Sequence, residues 1–349
     1  MYLLPPGEAA ANLPARARDL ADTKQAMSSL NHPVRAIVTV PPYAPFLAEV
    51  AAHPIVCGLR LNTVMPTKRD EPIAALLARL SSLGQPLWVD LKGRQLRVSQ
   101  AAVPPFTEVK LSHRIHLHTP ADAFFCDGKE HARVVAVDGD RLILLDGPRR
   151  FVGPGESVNI VDPSLQIEGF LTETDRAYLQ AMRELGLRKV MLSFVEQHSD
   201  LSDVRELLPG AELVLKIESK KGLDWVRDGF PDCQRAAIAA KEDGPPPRLM
   251  AARGDLYVEV YYPHNILSAL RRILSADRHA IAASRIFSSL SRGPDAVPDC
   301  ADISDVAFLI TQGYRTLMLG DEVCLRQDSV LAALNLLDAV ASELRPYGP

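Results

Sequence analysis

From Arg35 onward the chain repeats one pattern: a short apolar run, then an amphipathic stretch. Eight such runs stand out, at Arg35–Val40, Gly58–Asn62, Pro86–Asp90, Lys189–Phe194, Glu212–Glu218, Arg248–Ala252, Ala280–Ser284 and Arg315–Leu319. Most are nearly continuously apolar, the pattern of parallel strands covered on both faces. Helical periodicity lies between them, as in Pro72–Leu83, Thr172–Leu185, His264–Asp277 and Ser304–Gln312, and Ser329–Leu344 follows the last run. Eight strand–helix units predict an α/β fold closed into a TIM (β/α)8 barrel rather than an open sheet. Ahead of the first run, Pro14 opens a predicted helix over Ala15–Leu30.

One interval departs from this pattern. Residues 99–164 alternate in short β-like segments: Glu108–Leu111, Arg114–His118, Ala132–Val137, Arg141–Leu145 and Ser157–Val161. Asp138-Gly139 and Asp146-Gly147 read as hairpin turns. This predicts a small all-β domain inserted after strand three. The barrel then comprises residues 1–98, with the N-terminal helical extension, and 165–349. That fits a single barrel of roughly 250 residues plus an extension.

Composition removes several alternatives. The 349 residues carry 39 basic and 43 acidic side chains, a net charge of −4, so a nucleic-acid partner is not expected. No segment approaches the roughly 18 uncharged apolar residues of a membrane span. Glu8 and the absence of a basic flank argue against a secretory signal. The cysteines Cys57, Cys126, Cys233, Cys300 and Cys324 include no Cys-x-x-Cys pair, so a reducing, cytoplasmic setting is the expectation.

In such a barrel, reactive groups sit at the carboxyl ends of strands. Those ends carry Arg60 and Asn62 on strand two, Asp90 on three, and Lys216 and Glu218 on five. Arg253 and Asp255 follow strand six, and Ser284 closes seven. Residues two apart on a strand share a face, so Lys216 and Glu218 both look into the mouth. Glu218 and Asp255 are hard oxygen donors suited to Mg2+ or Mn2+. Arg60 and Lys216 suit a phosphorylated or carboxylated anion. Metal and cations around an anion is the arrangement phosphoryl transfer requires. Plainer readings exist: Lys216–Glu218 as a local ion pair, Asp90 as a turn residue or cap. His116 and His118 share a strand face and could hold a metal, though surface strand residues are the simpler reading.

At these residues the sequence resembles the pyruvate kinase family. Leu215-Lys-Ile-Glu-Ser219 with Gly222 is similar to its Lys-Ile-Glu-Asn motif, and Met250-Ala-Ala-Arg-Gly-Asp-Leu256 to its Ala-Arg-Gly-Asp-Leu signature. Val190–Val195 followed by Ser199–Val204, Ser304–Ala307 and Leu317–Leu319 also match in order. Gly58-Leu-Arg-Leu-Asn62 resembles the Arg-x-Asn motif, and Asp90-Leu-Lys-Gly93 with Arg97 resembles Asp-Thr-Lys-Gly with its downstream arginine. The inserted β segment falls where the family carries its lid.

The resemblance implies roles. Lys216 would neutralise the phosphoryl group in flight, and Arg60 would bind its oxygens. Glu218 and Asp255 would hold the divalent metal. The Gly254 backbone would donate to a substrate carboxylate, Ser284 would place a hydroxyl near the enolate, and Arg97 would turn toward nucleotide phosphates. Asn62 and Asp90 match the family's monovalent-cation site, but Val64 stands at its serine position and Gln95 at its acidic position, with Arg94 beside it as a replacement cation. A K+ ion is thus left an incomplete site, and activity without K+ is implied.

Glu156, at the lid's nucleotide-facing lysine position, Tyr257 and Arg285 change the nucleotide half of the site. Three readings follow: phosphoryl transfer between an enol phosphate and a nucleotide such as ADP or ATP; enolate chemistry on a 2-oxo acid or transfer to another acceptor; or a non-catalytic regulatory protein. A homo-oligomer, a dimer through barrel helices, is expected. Because the chain stops soon after the last barrel helix, allosteric control is not expected.

Overall fold

The computed structural model describes residues 34–239 and 244–344. The helix expected over Ala15–Leu30 lies outside them. Eight parallel strands close into a barrel: Arg35–Thr39, Val56–Asn62, Leu87–Leu91, Lys189–Leu192, Glu212–Ile217, Arg248–Ala252, Ile281–Ala283 and Thr316–Leu319. Each pairs with its chain neighbours, and the first pairs with the eighth through Ala36–Leu317 and Ile37–Met318. The α/β barrel predicted from the periodicity is the fold.

Alternation along the strands separates two cores. Outward side chains, among them Val38, Leu59, Leu61, Val89, Leu91, Leu192 and Leu215, pack beneath the helices. Inward ones form a plug of Ile37, Trp88, Met191, Val214, Met250, Ile281, Ala283 and Met318. At the next inward level the first five strands turn polar, with Thr39, Arg60, Asp90, Ser193 and Lys216, all buried. The barrel mouth is therefore a charged layer resting on a dry apolar one, and the period of two fixes which residues reach it.

Five helices form as the periodicity indicates, at Ile73–Ser81, Glu173–Glu184, Asn265–Ala276, Cys300–Gln312 and Gln327–Glu343. Others were not read from the sequence: Leu47–Ala51, Ser199–Leu207, Lys220–Asp228, Phe230–Ala239, Arg253–Glu259 and Asp321–Cys324. The four- to seven-residue ones span too few turns to show a stripe. Arg253–Glu259 also starts directly from the strand end with no side-chain cap.

The inserted segment forms a five-stranded antiparallel sheet in the order Glu108–Lys110, Arg141–Leu144, Glu130–Asp138, Ala121–Phe125, Asn159–Ile160. Its core of Val109, Leu111, Phe125, Val134, Leu142, Val152 and Ile160 also takes in Leu96 and Val98 from the connection out of strand three. Asp138-Gly139 turns a hairpin as expected. Asp146-Gly147 does not join two strands; the Asp146 carboxylate instead accepts the Arg133 N–H at 3.0 Å. Strand Ala121–Phe125 was missed because its buried face is two alanines and Phe125. Ile115–His116 leaves the main sheet to pair with Gln166–Ile167. His116 bonds Glu168 at 2.8 Å, and among the described residues no group of three or more His, Cys, Asp or Glu is placed to hold a metal. No described helix is long and apolar enough to cross a membrane.

Candidate active site

A cavity of about 230 Å3 opens at the carboxyl end of the barrel. Arg60, Asn62, Arg97, Lys216, Glu218, Gly254, Asp255 and Ser284 all line it. Asp90 lies beneath them, fully buried, neither turn nor cap but the anchor of the layer. Arg60 Nε donates to its Oδ2 at 2.8 Å, with Nη2 on the same oxygen. Lys216 Nζ stands 3.4 Å from its Oδ1, and Lys92 Nζ 3.5 Å from its Oδ2. Burial alone would raise the Asp90 pKa, but Lys216, Lys92 and Arg60 outweigh it and hold the carboxyl far below the usual range.

Lys216 is placed by three contacts: Ser193 Oγ at 2.8 Å, Glu218 Oε1 at 3.1 Å, and Asp90. Burial disfavours its charge, yet Asp90 and Glu218 prevail and keep it protonated above the ordinary lysine range. Glu218 is oriented on its other oxygen by the Phe194 backbone N–H at 2.9 Å. Phe194 has φ +51, a left-handed conformation costly for a bulky residue, and that turn aims the N–H at the carboxylate.

Asp255, one residue past Gly254, accepts from Gln95 Nε2 at 3.1 Å and Asn159 Nδ2 at 3.2 Å. Asn159 comes from the inserted sheet, so the β domain reaches the site directly. Burial and the Glu218 charge push Asp255 up to about 6. Glu218 and Asp255 thus set hard oxygen donors side by side, a pair whose chemistry suits a divalent cation.

The loop after strand seven is held in an unusual backbone. Ser284, Arg285 and Phe287 have φ of +68, +56 and +52. Arg253 pins them: its Nη2 donates to the carbonyls of Ser284 at 2.8 Å and Arg285 at 3.2 Å, while Nη1 pairs with Asp305 at 2.7 Å. Arg253, buried, thus positions the Ser284 hydroxyl rather than facing the cavity. Arg285 lines the cavity and stacks over Tyr257 at 4.5 Å.

Three expectations need revision. Arg94 does not approach Asn62 and Asp90. It forms a bidentate pair with Asp200, 2.7 Å on each side, and lies over the Phe170 ring. Glu156 does not present a bare carboxylate: it pairs with Arg150, which also bonds Glu130. Arg97 is tied to Gln95 Oε1 at 3.0 Å and to the Gly155 carbonyl, bridging barrel and inserted sheet.

Other residues lining or supporting the cavity escaped the sequence reading. Lys92 lines the cavity two positions beyond Asp90, on the same strand face. Burial, with Lys216, Arg97 and Arg60 adding to it against Asp90, draws its pKa down to about 7. Asp175 accepts the backbone N–H groups of Lys92 at 2.9 Å and Gly93 at 3.2 Å while closing the capping box of helix Glu173–Glu184. Gly93 has φ +49, and a Cβ there would stand 2.8 Å from the Ser193 carbonyl, so the turn that delivers Lys92 admits only glycine. Asp321 contacts Arg60 and Asn62. A search of strand eight's end for polar residues would have found it.

A family model described as "Pyruvate kinase, barrel domain" matches residues 89–327. The chain belongs to the pyruvate kinase family. It is 28% identical over 267 residues to a pyruvate kinase of Methanocaldococcus jannaschii, covering 73% of this chain and 55% of that one. A pyruvate kinase of Agrobacterium vitis is 31% identical over 209 residues, covering 58% and 40%. That of Borreliella burgdorferi is 22% identical over 317 residues, covering 83% and 63%. The chain spans about half the length of the curated relatives it matches.

Two predictions arise at this pyruvate-kinase-like mouth. A Cβ at Gly254 would meet Ser284 no closer than 3.5 Å, ordinary van der Waals contact. Gly254→Ala should leave the melting temperature unchanged or raised, since alanine favours a helix by about 0.5–1 kcal/mol. If the Gly254 backbone serves a ligand carboxylate, the variant should raise KM several-fold; an unchanged KM would count against that role.

Glu259 ends the same helix, buried, accepting from the Lys220 N–H and Asn159. Burial, with Glu196 and Asp255 adding, pushes it from 4.5 up to about 8. The folded state therefore binds the extra proton between those values, and stability falls as pH rises through that window, by up to about 1.4 kcal/mol per pH unit. Glu259→Gln should flatten that slope and raise the melting temperature above neutral pH. Parallel melting-temperature profiles for the two proteins would refute this.

Proposed function

We propose that this chain is a metal-dependent phosphotransferase acting between phosphoenolpyruvate, or a similar enol phosphate, and a nucleoside diphosphate such as ADP. The convergence of Lys216, Glu218 and Asp255 over Asp90 carries the reading. Glu218 and Asp255 would hold a divalent Mg2+ or Mn2+, whose charge when bound would polarise the carboxylate and enol oxygen of the substrate. Lys216 would stabilise the charge on the phosphoryl group in transit, being protonated and aimed by Asp90 and Ser193. Arg60 would meet the phosphoryl oxygens, the Gly254 N–H the carboxylate, and Ser284, fixed by Arg253, the face opposite the transfer. Residues 99–164 would act as a lid, with Asn159 and Arg97 its links to the barrel.

We further propose that activity does not depend on K+. Asp90 is already neutralised by three basic side chains, the Asn62 Oδ1 accepts the Val64 N–H at 3.4 Å, and Val64 supplies no side-chain oxygen. A coupled assay for pyruvate release from phosphoenolpyruvate and ADP tests both statements. Mn2+- or Mg2+-dependent turnover that changes less than about two-fold when Na+ replaces K+ is expected. The absence of turnover above a Lys216→Ala control would reject the phosphotransferase, and a tenfold K+ activation would reject the second statement alone.

A further inference from the structure

Arg60 is the basic residue best placed to grip a phosphoryl group, yet each of its nitrogens is already occupied. Nε and Nη2 lie on Asp90, and Nη1 donates to Thr39 Oγ1 at 3.0 Å and to Asp321 Oδ1. The second Asp321 oxygen accepts from Asn62 Nδ2 at 2.5 Å. The two carboxylates differ in freedom. Asp90 is fully buried within the barrel, whereas the Asp321 side chain is 37% exposed at the start of a four-residue helix just past strand eight. Arg60 first, and Lys92 after it, hold the Asp321 carboxyl below the usual range against the cost of partial burial. Asp321 thus presents a carboxylate to the open side of the cavity, on the guanidinium edge a ligand anion would take.

We propose that Asp321 is a specificity-determining residue, an internal anion that a ligand must displace from Arg60. The exchange is nearly neutral for a singly charged carboxylate, which replaces one oxygen pair by another. A phosphoryl dianion brings more charge and a third oxygen, so it gains contacts to Arg60, Lys92 and Lys216 that Asp321 cannot supply. The displaced carboxylate moves toward water without opening the buried layer, because Asp90 continues to hold Arg60. Every anion meets the same displacement cost, which leaves weakly held small carboxylates below useful affinity while a phosphoryl compound, with its extra contacts, still binds. This rests on the proposed function for the natural ligand, but the anion preference is measurable without turnover.

The test is calorimetric titration of the whole protein and of Asp321→Asn with inorganic phosphate at about pH 8, and with acetate, alongside thermal melts. Asparagine keeps the shape and the Asn62 contact while removing the charge. The variant should bind phosphate at least about tenfold more tightly, and acetate measurably more tightly too, since both displace the same carboxylate from Arg60. With phosphoenolpyruvate, KM should fall more than kcat changes. Unchanged or weaker phosphate binding, in a variant melting within a few degrees of the parent, would overturn the proposal. Tighter phosphate binding without pyruvate formation by either protein would uphold the displacement and reject the phosphotransferase. Turnover with unchanged anion affinities would do the reverse.

Discussion

Lys216→Met should lower phosphoryl transfer by at least about 1,000-fold, roughly 4 kcal/mol of transition-state stabilisation, while leaving the protein folded. The size follows from position. The ammonium is buried at 5% exposure, where an interaction with developing charge is little screened. It is also pre-aimed by Ser193, Asp90 and Glu218, so it spends nothing on reorganisation during the reaction. Methionine fills the same volume. Asp90 keeps Arg60 and Lys92 as partners, so the layer beneath survives. The loss should fall on kcat more than on KM, since ground-state binding retains Arg60. A steady-state comparison showing less than a tenfold loss in kcat would mean that Lys216 does not face the transferred group.

Asp90→Asn should have the largest effect on stability. Asp90 is wholly buried and is the common partner of Arg60, Lys92 and Lys216. Removing its charge leaves three cations packed together, and breaking a buried pair this way costs about 3–5 kcal/mol. For a chain of this size that is a fall in melting temperature of roughly 4–7 °C. The pH dependence has a definite sign. The native carboxyl titrates well below its unfolded value, so its stabilisation is fully present above the ordinary aspartate range and is lost as pH falls toward the folded pKa. The gap between wild type and variant should therefore narrow in acid. Denaturation profiles that stay parallel down to about pH 3 would contradict this account of Asp90.

These two residues show how much of the site the sequence carries. Lys216, Glu218 and Asp90 were legible because a strand's period of two fixes which residues share the mouth, and because charges on a nearly continuous apolar run must be compensated. Asp255 and Gly254 followed from their place just beyond strand six. Their pairing with distant partners was not legible. Asp321 reaches Arg60 and Asn62 only because barrel closure brings the eighth strand beside the first. Asp175 reaches Lys92 across the whole inserted domain.

Arg94 was misplaced for a related reason. Next to Gly93 it could serve the cavity or the far side of the turn, and the left-handed turn at Gly93 sends it to Asp200. The short helices escaped because their stability comes from packing on the barrel rather than from their own periodicity. The eight strands, by contrast, are each buried on both faces, and their apolar runs survive any local ambiguity.

Diffraction from crystals grown with Mn2+ and oxalate, a flat dicarboxylate that mimics an enolate, bears most directly on the central claim that Glu218 and Asp255 form a divalent-metal site facing Lys216. The account predicts one anomalous peak coordinated by both carboxylates, with oxalate on the metal, the Gly254 N–H at the oxalate edge and Lys216 Nζ over its face. A peak elsewhere, or Glu218 and Asp255 retaining only Phe194, Lys216, Gln95 and Asn159 at saturating Mn2+, would contradict it.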